Sequence, residues 1–252
     1  MNEKWEGGFS SPPEKSGGQE CPPSVTSPNE HCFLNPYAPL DRHKHRLPHW
    51  QQGAVYYFVT WRLADSLSSA KLKAWKYERE VWLRLHPKPW DEKAEDDYHE
   101  RFSRKIEEWL DQGEGSCLLR DVSCSAIVAD AILHFEGERY TVASFVVMPN
   151  HVHALFRLKS PYRLERIIKS WKGFTAREIN RLLNKAGSLW QEDYWDRLIR
   201  NPRHFHKCLE YIRENPIKAR LRNNELVLYE AKEGGFSNPP EKSGGQECPP
   251  SV

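Results

Sequence analysis

Phe145-Val146-Val147-Met148-Pro149-Asn150-His151-Val152-His153-Ala154-Leu155-Phe156 sets two apolar runs around a His-x-His pair. Side chains of a strand alternate between faces. The spacing therefore predicts His151 and His153 on one face and Val152 on the other, turned into a core. Two imidazoles on one face of a rigid strand make a ready metal site. Two surface histidines at a strand end would give the same pattern, so the pair alone leaves both readings open. Pro149-Asn150 breaks the chain so briefly that the strands expected over 139–147 and 151–158 should pair as an antiparallel hairpin.

Upstream, Gly53 to Leu63 (GAVYYFVTWRL) is β-branched and aromatic and predicts another strand. Helical spacing runs over 66–86, with Leu67, Leu72, Trp75 and Trp82 apolar and Ser68 or Ser69 as cap. An acidic helix is expected over 91–112, stopped by Gly113-Glu114-Gly115, and a third helix over 118–137. Downstream, 161–185 reads as a basic amphipathic helix. Leu164, Ile167, Ile168, Trp171, Phe174, Ile179 and Leu182 form its stripe, and Arg163, Arg166, Lys169, Lys172, Arg177, Arg181 and Lys185 fill other positions. A strand over 189–200 and a helix over 203–215, opened by Asn201-Pro202 and ended or kinked at Pro216, complete the pattern. This order predicts an α+β fold: an antiparallel sheet with helices packed on one face. The domain would span 36–230, with an extra helical insertion over 66–138.

The chain has 252 residues, 38% hydrophobic, and a mean hydropathy of −0.78. Those values are low for a fully packed chain and imply unpacked ends. No run approaches membrane-spanning length and no signal pattern opens the chain, so a soluble, cytoplasmic, nucleoid-associated protein with no membrane partner is expected. The six cysteines are scattered without a C-x-x-C pair, which argues for free thiols. The net charge of +2 conceals an asymmetry. Residues 157–222 hold 17 Lys and Arg against 7 Asp and Glu, a surplus of ten positive charges that leaves eight net negative charges elsewhere. Such a basic half points to a polyanion-binding face.

Residues 1–35 and 231–252 are rich in Pro, Gly, Ser and Glu and read as disordered tails. Glu6 to Val25 (EGGFSSPPEKSGGQECPPSV) and Glu233 to Val252 (EGGFSNPPEKSGGQECPPSV) differ only at Ser11 against Asn238. Disorder tolerates almost any substitution, so the identity points to a repeat in the DNA, read through at both ends of the gene. A duplicated Pro-Pro peptide ligand is the protein-level alternative. Between the first tail and the first confident strand, Arg42, His43, Lys44, His45 and Arg46 read as a basic arm suited to a phosphate backbone. No strand is expected to hold its H-x-H.

Tyr211 and Asn215 lie four apart on the last helix and so share a face. Here the motifs combine. VVMPNHVHALF, KSWKGFTAREINRLL, LWQEDYWDRLIRNPRHF and YIRENPIKARL, in that order, closely resemble the single-tyrosine HUH transposases. The likeness is to the branch associated with repetitive extragenic palindromes, and it covers residues 40 to 225. It implies a ferredoxin-like or RRM-like HUH fold, in which His151 and His153 bind a divalent cation, Mg²⁺ or Mn²⁺. It also implies Tyr211 as nucleophile, Asn215 as third metal ligand and hairpin-forming single-stranded DNA as partner, handled by a monomer or homodimer. Attack by Tyr211 on a phosphodiester would leave a 5′-phosphotyrosine and a free 3′-OH.

Charge and stacking add candidate DNA contacts: Arg163, Arg166, Lys169, Lys172, Arg177, Arg181 and Arg197 for phosphates, and Trp171, Trp190, Tyr194 and Trp195 for unpaired bases. Tyr162 and Tyr194 are weaker candidates for the nucleophile. Glu192, Asp193 and Asp196 are weaker candidates for metal support, and His204 and His206 for phosphate contact. A metal-dependent hydrolase and a hairpin-binding protein without catalysis are the competing readings. The tails give a direct test. If they are translated copies of one repeat, the two coding stretches should match at third codon positions at least as well as the peptides do. Divergence at synonymous positions sinks that origin.

Overall fold

The computed structural model describes residues 32–35, 37–39, 41–44, 48–87 and 91–231. Its centre is a five-stranded antiparallel sheet in the order β6-β3-β5-β4-β7. The strands are β3 (Tyr56–Arg62), β4 (Tyr140–Val147), β5 (His151–Leu158), β6 (Trp195–Leu198) and β7 (Val227–Glu230). Two preceding strands, β1 (Asp41–Lys44) and β2 (Pro48–Gln51), form a separate antiparallel ribbon. The stretch expected to be an arm without strands is thus partly paired, and β1 holds His43. His45, Arg46 and both repeated tails lie outside the described residues. The first tail was expected to reach residue 35, but Cys32 and Phe33 are buried and the Leu34 N–H donates to the Ile199 carbonyl at 2.9 Å.

The hairpin β4–β5 forms as its short break requires, with Val147 paired to Val152 and Met148 N–H donating to the His151 carbonyl. The turn is held from outside as well. Pro149 accepts from Leu119 N–H at 3.0 Å, and Asn150 accepts from Leu63 N–H at 2.8 Å. β5 is central and buried on both sides, so its alternation divides two cores rather than core from solvent. Val152, Ala154, Phe156 and Leu158 join one cluster, while Leu155 joins another on the face that carries His151 and His153.

α4 (Val122–Leu133) and α5 (Leu164–Leu182) cover the first face, with Cys124, Val128, Ile132, Ile167, Ile168, Trp171 and Ile179 packed on β3, β4 and β5. These two helices match the one-face arrangement expected for the α+β fold. α6 (Pro202–Lys218) differs and crosses the opposite face, where Phe205, Cys208 and Ile212 pack on Tyr56, Val146 and Leu155. Both faces of the sheet therefore carry helices, because the alternating strands β3, β4 and β5 present apolar side chains to each. α6 starts where Asn201 caps the His204 N–H at 2.8 Å and Pro202 takes the first turn. Pro216 does not end it. It sits in the last turn, and the helix runs on to Lys218.

The insertion is α1 (Ser69–Leu85), capped by Ser68, followed by α2 (Glu92–Tyr98), a π-helical turn over His99–Arg104 and α3 (Lys105–Asp111). It has its own core of Leu67, Trp75, Trp82, Phe102, Ile106 and Leu110, against which Trp195 of β6 packs. Its exit is tight. Gly115 has φ +87°, and a Cβ there would meet the Asp65 carbonyl oxygen at 2.5 Å. The stretch expected as one strand over 189–200 is a strand only at 195–198, and β7, not foreseen, closes the far edge. Among the described residues Cys32, Cys117, Cys124 and Cys208 are free thiols, and no helix is long and apolar enough to cross a membrane.

Trp171 is not a base-stacking residue here. It is 3% exposed, and its Nε1 donates to the Tyr140 hydroxyl at 2.9 Å, which in turn donates to the Ile132 carbonyl at 2.9 Å. Its place in the apolar stripe of α5 decided its fate. Trp171→Ala should lower the free energy of unfolding by about 3–5 kcal/mol in a denaturant titration. A substitution that left stability unchanged would contradict this placement.

Candidate active site

His151 and His153 lie side by side on β5, ring centroids 4.7 Å apart and each 1% exposed, so they are not surface histidines. Their ring nitrogens are set by neighbours. The Asn150 side-chain NH₂ donates to the carbonyls of Leu110 (3.1 Å) and Glu114 (3.2 Å) at the end of the insertion. Its oxygen is therefore the acceptor that faces His151 Nδ1 at 2.7 Å, which makes Nδ1 the protonated nitrogen and leaves Nε2 bare. His153 Nδ1 lies 2.7 Å from the Thr60 hydroxyl, and its Nε2 lies 3.4 Å from the Asn215 amide nitrogen.

Burial drives both imidazoles to the neutral form. His151 is lowered to about 3, by desolvation first and then by the Arg62 charge, and His153 falls well below its ordinary value for the same reason plus His151. Arg62 shares this face of the sheet, opposite His151 in the β3–β5 register. It is 3% exposed, and its Nη1 donates to the Ser66 hydroxyl at 2.9 Å. The guanidinium lies 5.9 Å from the centroid of Trp195, and burial lowers its pKa to about 10.

Tyr211 completes the group. Its ring meets His153 edge-on at 5.1 Å and Phe58 at 5.7 Å, and its hydroxyl is buried without a hydrogen-bond partner. One turn on, Asn215 is buried, and its side-chain oxygen also lacks a partner. A bare Nε2 on His151, the Nε2 of His153 and an orphaned amide oxygen are a donor set that suits a divalent cation. Among the described residues there is no cluster of three or more His, Cys, Asp or Glu that could hold a metal ion. The set here depends on an amide as its third donor. Tyr162 and Tyr194, the other tyrosines considered, pack on the far cluster with α5.

Two acidic residues of α3 face the tyrosine. Glu107 and Tyr211 line an open cleft of about 650 Å³ together with Asp97, Glu100, Ser103, Arg104 and Arg197. The Tyr211 hydroxyl is pushed well above the ordinary phenol value, by burial first and then by the charges of Glu107 and Asp111. Burial also raises Glu107, opposed by Arg197, and brings Asp111 up to about 6.

The structure brings together His151, His153, Tyr211 and Asn215, with Arg197 exposed on the cleft rim. It separates them from the basic helix. Arg166, Lys169, Arg177 and Arg181 are exposed on α5, across the sheet from Tyr211. Arg163 sits at the N-cap of α5, 4.0 Å from Glu165. Lys172 is half-buried, and its ammonium donates to the carbonyls of Gln191 and Glu192 at 2.7 Å each. Trp190 is buried, its Nε1 donating to the Thr175 hydroxyl, so it offers no face to a base. Trp195 is half-buried against Trp75. His204 and His206 serve the start of α6, His204 Nδ1 accepting from Arg200 N–H. Sequence reasoning missed Thr60, Arg62, Glu107, Asp111 and the bridging role of Asn150. Thr60 and Arg62 carried a signal, as polar residues two apart in an apolar strand.

Residues 125–215 match the family model described as transposase IS200 like. A REP-associated tyrosine transposase of Escherichia coli (strain K12) is 29% identical over 92 residues, which cover 35% of this chain. The chain spans about half (52%) of that relative's length. A solved REP-associated tyrosine transposase bound to a REP hairpin aligns at 14% identity and a TM-score of 0.34, covering 70% of this chain and 73% of that one. A solved protein described as a transposase, from Deinococcus radiodurans R1, aligns at 15% identity and a TM-score of 0.31, covering 66% of this chain and 93% of that one.

The depressed histidines make stability depend on pH with a definite sign. An unfolded histidine takes a proton near 6.5, while folded His151 waits until about 3. Between those values the unfolded state binds more protons, so folding stability falls as pH falls. The slope is about 1.4 kcal/mol per pH unit for each such histidine. Asp111, raised in the fold, acts in the opposite direction. Urea midpoints of the metal-free protein between pH 7.5 and 5 should therefore fall more steeply for wild type than for His151→Gln. Equal slopes would contradict a buried neutral His151.

Proposed function

With residues 125–215 matching the IS200-like transposase family, we propose that this protein is a metal-dependent DNA strand transferase. It cleaves and rejoins single-stranded, hairpin-forming DNA through a covalent 5′-phosphotyrosine at Tyr211. The observation that carries this reading is the tyrosine hydroxyl, buried without a partner, on a ring that meets His153 edge-on one turn from the orphaned Asn215 oxygen. A nucleophile and a metal donor set, drawn from α6 and β5, are thus adjacent.

His151, His153 and Asn215 would hold Mg²⁺ or Mn²⁺, which when bound offsets the charge of a phosphodiester and orients it. Two neutral imidazoles and an amide leave such an ion its full double charge, which suits a phosphate substrate. Asn150 and Thr60 hold the imidazoles in place. Tyr211 supplies the attacking oxygen: a bond forms from its Oη to phosphorus, and the bond from phosphorus to the 3′ oxygen breaks. The phosphotyrosine keeps the bond energy for rejoining.

The exposed cations of α5, with Arg163 at its start, are suited to the phosphates of a duplex stem, and Arg197 to the strand entering the cleft. The name of the E. coli relative makes repetitive extragenic palindromes the first substrate to try. A binding protein without catalysis remains the second reading, favoured by the closure of the histidine pair, each residue of which is 1% exposed.

A denaturing gel with 5′- and 3′-labelled hairpins separates the readings. Wild type should form a covalent protein–DNA adduct with Mn²⁺, and Tyr211→Phe should form none while binding the hairpin as wild type does. Cleavage that persists in Tyr211→Phe would indicate a hydrolase, and binding without cleavage by wild type an inert module.

A further inference from the structure

Buried polar atoms without a hydrogen-bond partner gather around the site: Arg62 Nε, Asp111 Oδ1, Tyr211 Oη and Asn215 Oδ1. Leaving such groups unpaired is costly, so their grouping marks a place built for partners it acquires during function. A divalent ion and a phosphodiester answer for Asn215 and Arg62. Neither answers for the proton on Tyr211, which must leave before the oxygen can bond to phosphorus. The acceptor has to reach that hydroxyl.

Few groups face it. Asn215 carries an amide, which is no base. His153 is committed to the cation in the strand-transfer reading, and its Nδ1 already faces the Thr60 hydroxyl. Lys218, whose ammonium lies 5.9 Å from the Tyr211 ring centroid, is a cation and has no lone pair to offer. Of the carboxylates, Asp97 and Glu100 line the cleft but are paired with Arg101 and Arg104, which leaves Glu107 and Asp111 of α3, set four residues apart on one face. Of the two, Glu107 lines the cleft with Tyr211, whereas Asp111 does not.

We propose that Glu107, supplied by the helical insertion, is the catalytic residue that takes the Tyr211 proton. This role rests on the strand-transfer reading. In the forward step the proton passes from Tyr211 Oη to the Glu107 carboxylate as the bond from Oη to phosphorus forms. The bond from phosphorus to the 3′ oxygen breaks, and that oxygen takes a proton from water in the open cleft. In rejoining, a 3′-OH attacks the phosphotyrosine, its proton returns to solvent, and neutral Glu107 gives its own back to Tyr211 Oη. Burial suits Glu107 to the task, because a raised proton affinity makes a carboxylate a better base near neutral pH. The groups that face it set its charge: Arg197 from β6, Tyr211 and Lys218 from α6, and Asp111 from its own helix.

Two measurements on the full chain test the role. In single-turnover adduct formation with Mn²⁺ and a labelled hairpin, Glu107→Gln should be slower by about 100- to 10,000-fold, with hairpin affinity unchanged. Its rate should keep rising about tenfold per pH unit where wild type levels off, since hydroxide must then replace the carboxylate. Glu107→Asp should recover part of the loss. Without metal or DNA, the Glu107 carboxyl followed by ¹³C NMR should titrate at higher pH in Tyr211→Phe than in wild type, because the hydroxyl no longer favours the carboxylate. Adduct formation by Glu107→Gln within threefold of wild type, or a Glu107 titration unmoved by Tyr211→Phe, overturns the role alone. A wild type that forms no adduct overturns the strand-transfer reading and this role with it.

Discussion

One amide holds the site together. Asn150 sits in the turn between β4 and β5, and its side chain spends both donors on the insertion and its acceptor on His151. Its backbone carbonyl takes the N–H of Leu63, just past the end of β3. The sheet hairpin, the helical insertion and the imidazole tautomer therefore meet in one residue that is 1% exposed. Buried amide hydrogen bonds of this kind are modest as net gains and expensive when broken, so the arrangement is more directional than strong. The insertion, which brings Glu107 and Asp111 over Tyr211, is docked by the same contact that orients the first histidine.

Much of this was legible in local pattern. The period-two alternation of residues 151–158 separated His151 and His153 from Val152, because a strand leaves a side chain only two directions. The hairpin followed from a break too short for any other connection. Tyr211 and Asn215 shared a face by helical spacing, and Ser68 and Asn201 marked helix starts. Each of these inferences spans only a few residues, where geometry leaves few choices.

What was not legible depends on packing between distant segments. Trp171 and Trp190 looked like stacking platforms in a basic stretch, yet both are core residues whose indole N–H groups are satisfied inside. Charge density around a tryptophan does not say which way the ring turns. Nothing in the acidic run 91–112 separated Glu107 from a solvated helix face, since its partner Tyr211 lies 104 residues further on. β7 escaped notice because four residues at a sheet edge carry little alternation. The insertion's own aromatic core, centred on Trp75, Trp82 and Phe102, was visible as apolar spacing but not as a wall beside the tyrosine.

The sheet separates the basic face of α5 from Tyr211, and that separation bears on stiffness. A polymer touching both must turn around the sheet, for instance at the β6 edge where Arg197 stands, within a distance set by one sheet and its covering helix, about 20 Å from the 10 Å layer spacing. Double-stranded DNA keeps its direction over about 50 nm and resists so sharp a bend. An unpaired strand bends over a few nucleotides. Under the proposed strand-transfer function, the architecture would suit a molecule that is rigid in one part and limp in the next, so a junction between paired and unpaired DNA would be selected by mechanics before any base is read.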